Sequence, residues 1–260
     1  MCKCRHLIVF ALALAPAAAE VRADDVDDVA DVPSQDVRAG DEHKRYFLIG
    51  PAKDKQAPAA GRGLVVILPG GDGSAGFQPF VKRIFKYALP DGYLAAQPVA
   101  VKRSADQEIV WPTAGVKHLV KDARFTTEEF IAAVVEDVAK KHSLDRKRVF
   151  VLGWSSSGPA VYSALLQEKP PAAGAFVAMS VFKPDTLPPL ARAKGRPFYL
   201  YHSPDDRVCP FWMAKRAERE LTTAGAAVTL AEYDGGHGWR GGLYDSIRTG
   251  VEWLEKQVGK

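Results

Sequence analysis

Three short segments of this 260-residue chain carry side chains suited to nucleophilic chemistry. The first, Val149-Phe150-Val151-Leu152-Gly153-Trp154-Ser155-Ser156-Ser157-Gly158-Pro159, puts an apolar run directly before a serine cluster and a helix-forming run after it. A serine at the tip of such a strand-turn-helix junction is presented by a strained backbone, provided that the residues two before and two after it are small. That steric rule separates the three serines. Ser155 has Gly153 and Ser157 at those positions, whereas Ser156 would have Trp154 and Ser157 would have Pro159. Ser155 is therefore the candidate nucleophile, with Ser157 standing where a second glycine is usual and Gly158 directly after it. Pro159 fits the first turn of a helix, where N–H groups have no internal acceptor.

A serine hydroxyl needs a base within hydrogen-bond reach and an acid that holds the base in the correct tautomer. On a junction of this kind the partners follow in the order acid, then histidine. Downstream, the run Pro197–Tyr201 leads into His202-Ser203-Pro204-Asp205-Asp206-Arg207-Val208-Cys209-Pro210. The run Ala227–Tyr233 leads into Asp234-Gly235-Gly236-His237-Gly238-Trp239. A histidine set among glycines is free to reach sideways, so His237 is the candidate base. Asp205 or Asp206 supplies the acid, and the other closes the turn. His202 reads as a structural histidine at a strand end, and Cys209 as a small buried apolar residue outside any nucleophile turn.

A fourth segment offers backbone donors rather than side chains. Leu64–Leu68 is followed by Pro69-Gly70-Gly71-Asp72-Gly73-Ser74-Ala75-Gly76, whose glycines let N–H groups approach a bound atom closely. The N–H of Ser156, just after the nucleophile, is the other donor expected to face a developing oxyanion. The same loop spells Gly71-x-Gly73-x-x-Gly76, a formal dinucleotide fingerprint with Asp91 further on. Taken as a nucleotide site, it leaves the serine, aspartate and histidine segments unexplained. No cofactor is expected, and no metal: the acidic run Asp24-Asp25-Val26-Asp27-Asp28-Val29-Ala30-Asp31 lacks the spacing of a calcium loop.

Apolar runs alternating with amphipathic segments must position these groups. Tyr46–Ile49, Leu64–Leu68, Val149–Leu152, Ala175–Ala178, Pro197–Tyr201 and Ala227–Tyr233 are predicted strands. Thr127–Lys140, Ala160–Gln167, Met213–Ala224 and Leu243–Gln257 are predicted helices, the first with Thr127 as hydroxyl cap and Glu128 and Glu129 in its first turn. Strands separated by helices imply parallel units with right-handed crossovers, hence an α/β fold with a mainly parallel central sheet and helices on both faces. Fewer than about twenty residues separate Ala178 from Pro197, with Pro184, Pro188 and Pro189 among them, so no large cap domain is expected there.

The chain is 47% hydrophobic and 25% charged, ordinary globular usage for one domain over residues 43–260. Residues 1–19 read as a secretory signal: Lys3, Arg5 and His6 precede the apolar Leu7–Ala15, and Ala17-Ala18-Ala19 is a cleavage site, with a cut after Ala23 as the alternative. The apolar run is too short to span a bilayer, so a periplasmic or secreted protein with no stable membrane insertion is expected. Residues 24–42 read as an acidic flexible leader. The net charge of +4 includes Lys3 and Arg5, and no dense basic run follows, which argues against nucleic acid as a partner.

Together, Gly-Trp-Ser-Ser-Ser-Gly, His-Ser-Pro-Asp-Asp-Arg-Val-Cys-Pro and Gly-Gly-His-Gly-Trp resemble the three signature segments of the α/β-hydrolase superfamily. The chain is most similar to its small esterase branch: phospholipase/carboxylesterase and dienelactone-hydrolase-like enzymes, with secreted polyester depolymerases and feruloyl-type esterases. The resemblance covers roughly Tyr46 to the C-terminus. It implies an acid four residues after a histidine and four before a proline, which selects Asp206 over Asp205. It also implies that the residue at Gly71 donates its N–H to the oxyanion, although Pro69 stands where the family has histidine. The implied activity is hydrolysis of a small-molecule or polymeric ester through Ser155, His237 and Asp206. A serine peptidase and a non-catalytic binding protein of the same fold are the alternatives, since a fold does not establish an activity.

Overall fold

The computed structural model describes residues 27–51, 56–102, 104 and 106–259. The predicted signal and Asp24–Val26 lie outside them. Eight strands form one sheet: β1 (Ser34–Arg38), β2 (Arg45–Ile49), β3 (Arg62–Leu68), β4 (Tyr93–Pro98), β5 (Leu144–Trp154), β6 (Gly174–Ala178), β7 (Pro197–His202) and β8 (Ala227–Glu232). Their order is β1-β2-β4-β3-β5-β6-β7-β8, antiparallel at β1–β2 and β2–β4 and parallel from β4 onward. This is the open, mainly parallel sheet of the α/β-hydrolase fold.

Among the described residues, five helices cover it: α1 (Gln78–Tyr87), α2 (Thr127–Lys141), α3 (Gly158–Leu165), α4 (Phe211–Thr223) and α5 (Leu243–Val258). One apolar core lies beneath α2, α3 and α4, with Phe130, Val134, Val161, Ala217 and Leu221 packed on Leu64, Val66, Val149 and Val151. The opposite core lies beneath α1 and α5, where Val81, Ile84, Ile247, Val251 and Leu254 meet Val65, Ile67, Phe150 and Leu152. Alternate side chains of β3 and β5 thus feed opposite faces, and both faces are dry, which is why these strands read as unbroken apolar runs. Between β6 and β7 the chain forms only the short 3-10 turns Pro184–Thr186 and Leu190–Ala193, so no cap domain rises from this crossover.

Three elements escape the sequence patterns. β4, Tyr-Leu-Ala-Ala-Gln-Pro, is rich in residues that disfavour strands, yet it is wholly buried between β2 and β3. The amphipathic spacing of Val81, Ile84 and Ala88 lies in and just after α1, behind the glycine loop. β1 lies inside the stretch expected to be a flexible leader, and that expectation is corrected for residues 28–42. Val29 and Val32 bury against the α1 face, Asp28 and Asp31 pair with Arg83 and Lys86 of α1, and Ser34–Arg38 hydrogen-bonds along β2. Asp28 and Asp31 are matched to basic residues on a neighbouring helix while remaining partly exposed.

The cap of α2 also differs by one residue. Thr126, in extended backbone, accepts the N–H of Glu129 at 3.2 Å while Glu129 Oε2 accepts the N–H of Thr126 at 2.7 Å, a reciprocal capping box. Thr127 is already helical, and its hydroxyl donates to Pro112 O at 3.0 Å.

Candidate active site

The turn after β5 holds one of three non-glycine residues at positive φ among the described residues. Ser155 has φ of 55°, a left-handed conformation that costs a non-glycine residue about 1–3 kcal/mol. Its surroundings leave little alternative. A Cβ on Gly153 would lie 2.6 Å from both Ser157 Oγ and Val161 Cγ2, and a Cβ on Gly158 would lie 2.0 Å from Ser180 Oγ. Small residues are therefore required around Ser155, as the steric rule anticipates. Ser157, in the place of a second glycine, is fully buried and its hydroxyl is in use. It accepts the N–H of Trp154 at 2.9 Å and donates to Leu68 O at 2.7 Å, tying the end of β5 to the end of β3. Ser180, two residues beyond β6, donates to Ser155 O at 2.6 Å and holds the strained residue from below.

The structure brings His237 and Asp206 to this turn. His237 Nε2 lies 3.1 Å from Ser155 Oγ, and His237 Nδ1 lies 2.8 Å from Asp206 Oδ2. An Nδ1–H donated to the carboxylate leaves the Nε2 lone pair free to accept the serine proton. Asp206 is buried and Asp205 is exposed, so of the two acids raised by the sequence only Asp206 meets the histidine. The Asp206 carboxylate accepts three hydrogen bonds and has a fourth nitrogen close by. Oδ1 accepts the N–H groups of Val208 and Cys209, each at 2.8 Å, and Oδ2 faces His237 Nδ1 at 2.8 Å and His202 Nε2 at 3.2 Å. Burying a carboxylate is costly without such partners.

His237 sits on a loop with glycines at positive φ on both sides, Gly236 at 76° and Gly238 at 126°. Two tethers fix it. Gly236 N–H donates to Ser203 Oγ at 3.1 Å, and Tyr233 Oη donates to Gly236 O at 2.9 Å. Neither Ser203 nor Ser180 was singled out by the sequence, because an isolated serine near a strand end carries no pattern.

Gly71, at φ of 57°, is joined to the nucleophile turn by Ser156 Oγ, which donates to Gly71 O at 2.9 Å. The residues after the nucleophile and within the glycine loop are thus direct neighbours. The other glycines of the loop answer to packing: a Cβ on Gly70 would lie 2.6 Å from Trp154, and one on Gly73 would lie 2.7 Å from Trp111 and Ala100. Trp111 is buried and donates Nε1–H to Pro69 O at 2.9 Å, so it braces the loop from the core. Of the three glycines in the dinucleotide fingerprint, Gly73 answers to packing and Gly71 to its positive φ, while Gly76 makes only an ordinary contact with Ser74.

Asp206, Cys209 and His237 bring three ligand-type atoms within 4.8 Å of one another. They are placed for hydrogen bonds rather than ligation. Two ligands of one zinc ion, each about 2.0 Å from it, stand roughly 3.3 Å apart, while Asp206 and His237 are separated by 2.8 Å. Burial also pushes the Cys209 thiol up to about 12, which keeps it protonated and unreactive. Beside Ser155, Trp154 meets Phe77, Phe80 and Trp239 edge-on at 5.7–5.8 Å, a half-buried aromatic wall on the α1 side.

No protein-family model and no curated protein sequence matches the chain. Solved structures do. Esterase 2 of Thermogutta terrifontis, phosphorylated by paraoxon, superposes with a TM-score of 0.59 at 16% identity, covering 88% of this chain and 93% of that one. The Bacillus cereus carboxylesterase gives 0.56 at 15% identity over 82% of this chain and 93% of that one. A truncated carbohydrate esterase from gut microbiota gives 0.63 at 12% identity over 88% and 97%. At these identities the likeness establishes the fold, and it spans nearly the whole of each neighbour.

Proposed function

We propose that this protein is a serine hydrolase that cleaves carboxylic esters through an acyl-enzyme. The observation that carries the reading is the connected line Ser155 Oγ, His237, Asp206, with separations of 3.1 Å and 2.8 Å. Ser155 Oγ attacks the ester carbonyl carbon as its proton passes to His237 Nε2. The tetrahedral oxyanion is held by the N–H groups of Gly71 and Ser156, and Asp206 stabilises the imidazolium. Collapse of the tetrahedral species breaks the ester C–O bond, and His237 returns the proton to the leaving alcohol. Water then repeats the sequence on the acyl-serine, releasing the acid and restoring Ser155.

The structural neighbours support this reading by what they are called: esterases and a carboxylesterase, one phosphorylated by paraoxon and one carrying propionate. The aromatic wall of Phe77, Phe80, Trp154 and Trp239 suits an apolar acyl or alcohol group, and the absence of a cap between β6 and β7 suits bulky esters. Residues 1–19 are an export signal in this proposal, placing the enzyme in the periplasm or medium. The mass of the mature protein tests that, with a start at Glu20 or Asp24 expected.

A fluorophosphonate probe and a panel of p-nitrophenyl esters test the chemistry. Wild-type protein should be labelled and active. Ser155→Ala should lose the label and about a million-fold in turnover, the scale seen when such a nucleophile is removed. Full activity in that variant would sink the assignment.

A further inference from the structure

We infer that His202 is a positioning residue: as a neutral Nε2–H donor it holds Asp206 Oδ2 toward His237 and shares the charge of that oxygen. The inference rests on the Ser-His-Asp reading above. His202 ends β7, and its side chain is almost wholly buried. Its Nε2 faces two oxygens, Cys209 O at 2.7 Å and Asp206 Oδ2 at 3.2 Å. Cys209 O accepts, so the nitrogen must carry the proton, and its positive N–H end lies close beside Asp206 Oδ2. One N–H thus pins the carbonyl of the Asp206–Pro210 turn and sets a dipole against the carboxylate that the turn presents. Burial holds the His202 imidazole below its ordinary range, which keeps the ring neutral at pH 7.

The consequence for His237 follows from sharing one oxygen. The N–H dipole of His202 offsets negative charge at Oδ2 and so weakens its attraction for the His237 imidazolium. Without His202, Oδ2 would hold the imidazolium more tightly, and it would lose one of its two side-chain anchors. The first change raises the pH at which His237 becomes a free base, and the second lowers the rate once it is free. Of the other groups around the pair, the Cys209 thiol is pushed up to about 12 by burial and burial likewise raises Tyr233, while Lys183 and Arg240 are the neighbouring basic side chains.

Two variants of similar length separate positioning from mere packing against Phe211, whose ring lies 5.9 Å from that of His202. His202→Gln retains an N–H at the Nε2 position, and His202→Met does not. kcat/KM for p-nitrophenyl butyrate between pH 5 and 9 should show the acid limb of the Met variant moved up by roughly half a pH unit. Its plateau kcat should fall about tenfold, as expected when one buried hydrogen bond that fixes the Asp206 turn is lost, with KM nearly unchanged. His202→Gln should stay close to wild type in both. In the wild-type protein, 15N NMR should find His202 as the Nε2–H tautomer at pH 7 to 8, a readout that needs no turnover and no variant. A wild-type profile in His202→Met, or an Nδ1–H tautomer, would overturn the inference. A wild-type protein inert to the fluorophosphonate would bring down the hydrolase reading instead.

Discussion

The two halves of the candidate site are fixed by opposite means. Ser155 sits in a three-residue turn between β5 and α3, where packing leaves no room for a Cβ on Gly153 or Gly158. His237 sits in a loop between β8 and α5 with positive φ at Gly235, Gly236, Gly238 and Gly241, and nothing presses on the Gly241 Cβ position. Close packing backed by the Ser157 and Ser180 hydrogen bonds holds the first, and hydrogen bonds without such packing hold the second. The lesson is that an atom displaced against strain is best held by close packing, while a group that must gain and lose a proton is held by polar tethers that leave its ring partly exposed.

Asp206→Asn attacks the strongest tether and should have the largest effect of the variants that spare the nucleophile. An amide at this position no longer enforces the Nδ1–H tautomer, and turnover should fall by about ten-thousand-fold while the Val208 and Cys209 N–H bonds keep the turn folded. Near-normal turnover would mean that His237 is oriented by something else. Gly158→Ala attacks the packed half. Its methyl has to displace Ser180 Oγ, so urea unfolding should show a loss of about 1–3 kcal/mol together with a fall in activity. Equal stability would show the turn to be softer than its contacts imply. Ser203→Ala removes the hydroxyl that receives Gly236 N–H, and kcat should drop about tenfold, in line with roughly 1 kcal/mol for one hydrogen bond. A loss of stability without loss of rate would erase the contrast between the halves.

The smallest effect is on stability against pH. His202 has a lowered pKa in the folded protein through burial, so below about pH 6.5 the unfolded chain binds the proton more readily than the folded one. Its contribution is present above that pH and is lost as pH falls toward the folded value. Tm should therefore decline below about pH 6.5, and less so in His202→Gln. His142 is shifted in the same direction, so the comparison between variants isolates the His202 share.

Much of this was legible in the chain. The parallel strands announce themselves because burial on both faces demands continuous apolar runs, and Ser155 follows from the steric rule that Gly153 obeys. His237 and the pair Asp205 and Asp206 were marked by turn residues at strand ends, and the choice of Asp206 came from the family resemblance. The rest depends on distances that no spacing encodes. The ordered stretch ahead of β1 was hidden because Asp28 and Asp31 find their partners, Arg83 and Lys86, 55 positions away. Ser180 and Ser203 act where separate strands end side by side, and the contact of His202 with Asp206 depends on how the turn after β7 folds back.

The fit between Gly158 and Ser180 also limits how the sequence can change. Position 158 gains room for a methyl only if position 180 gives up its hydroxymethyl, and that hydroxyl is the one bonded to Ser155 O. The two sites are thus epistatic in one direction: enlarging the first is tolerated only after the second has surrendered its grip on the serine. A mutational library that varies them independently should return survivors with glycine at 158 in combination with serine at 180, and few other pairs.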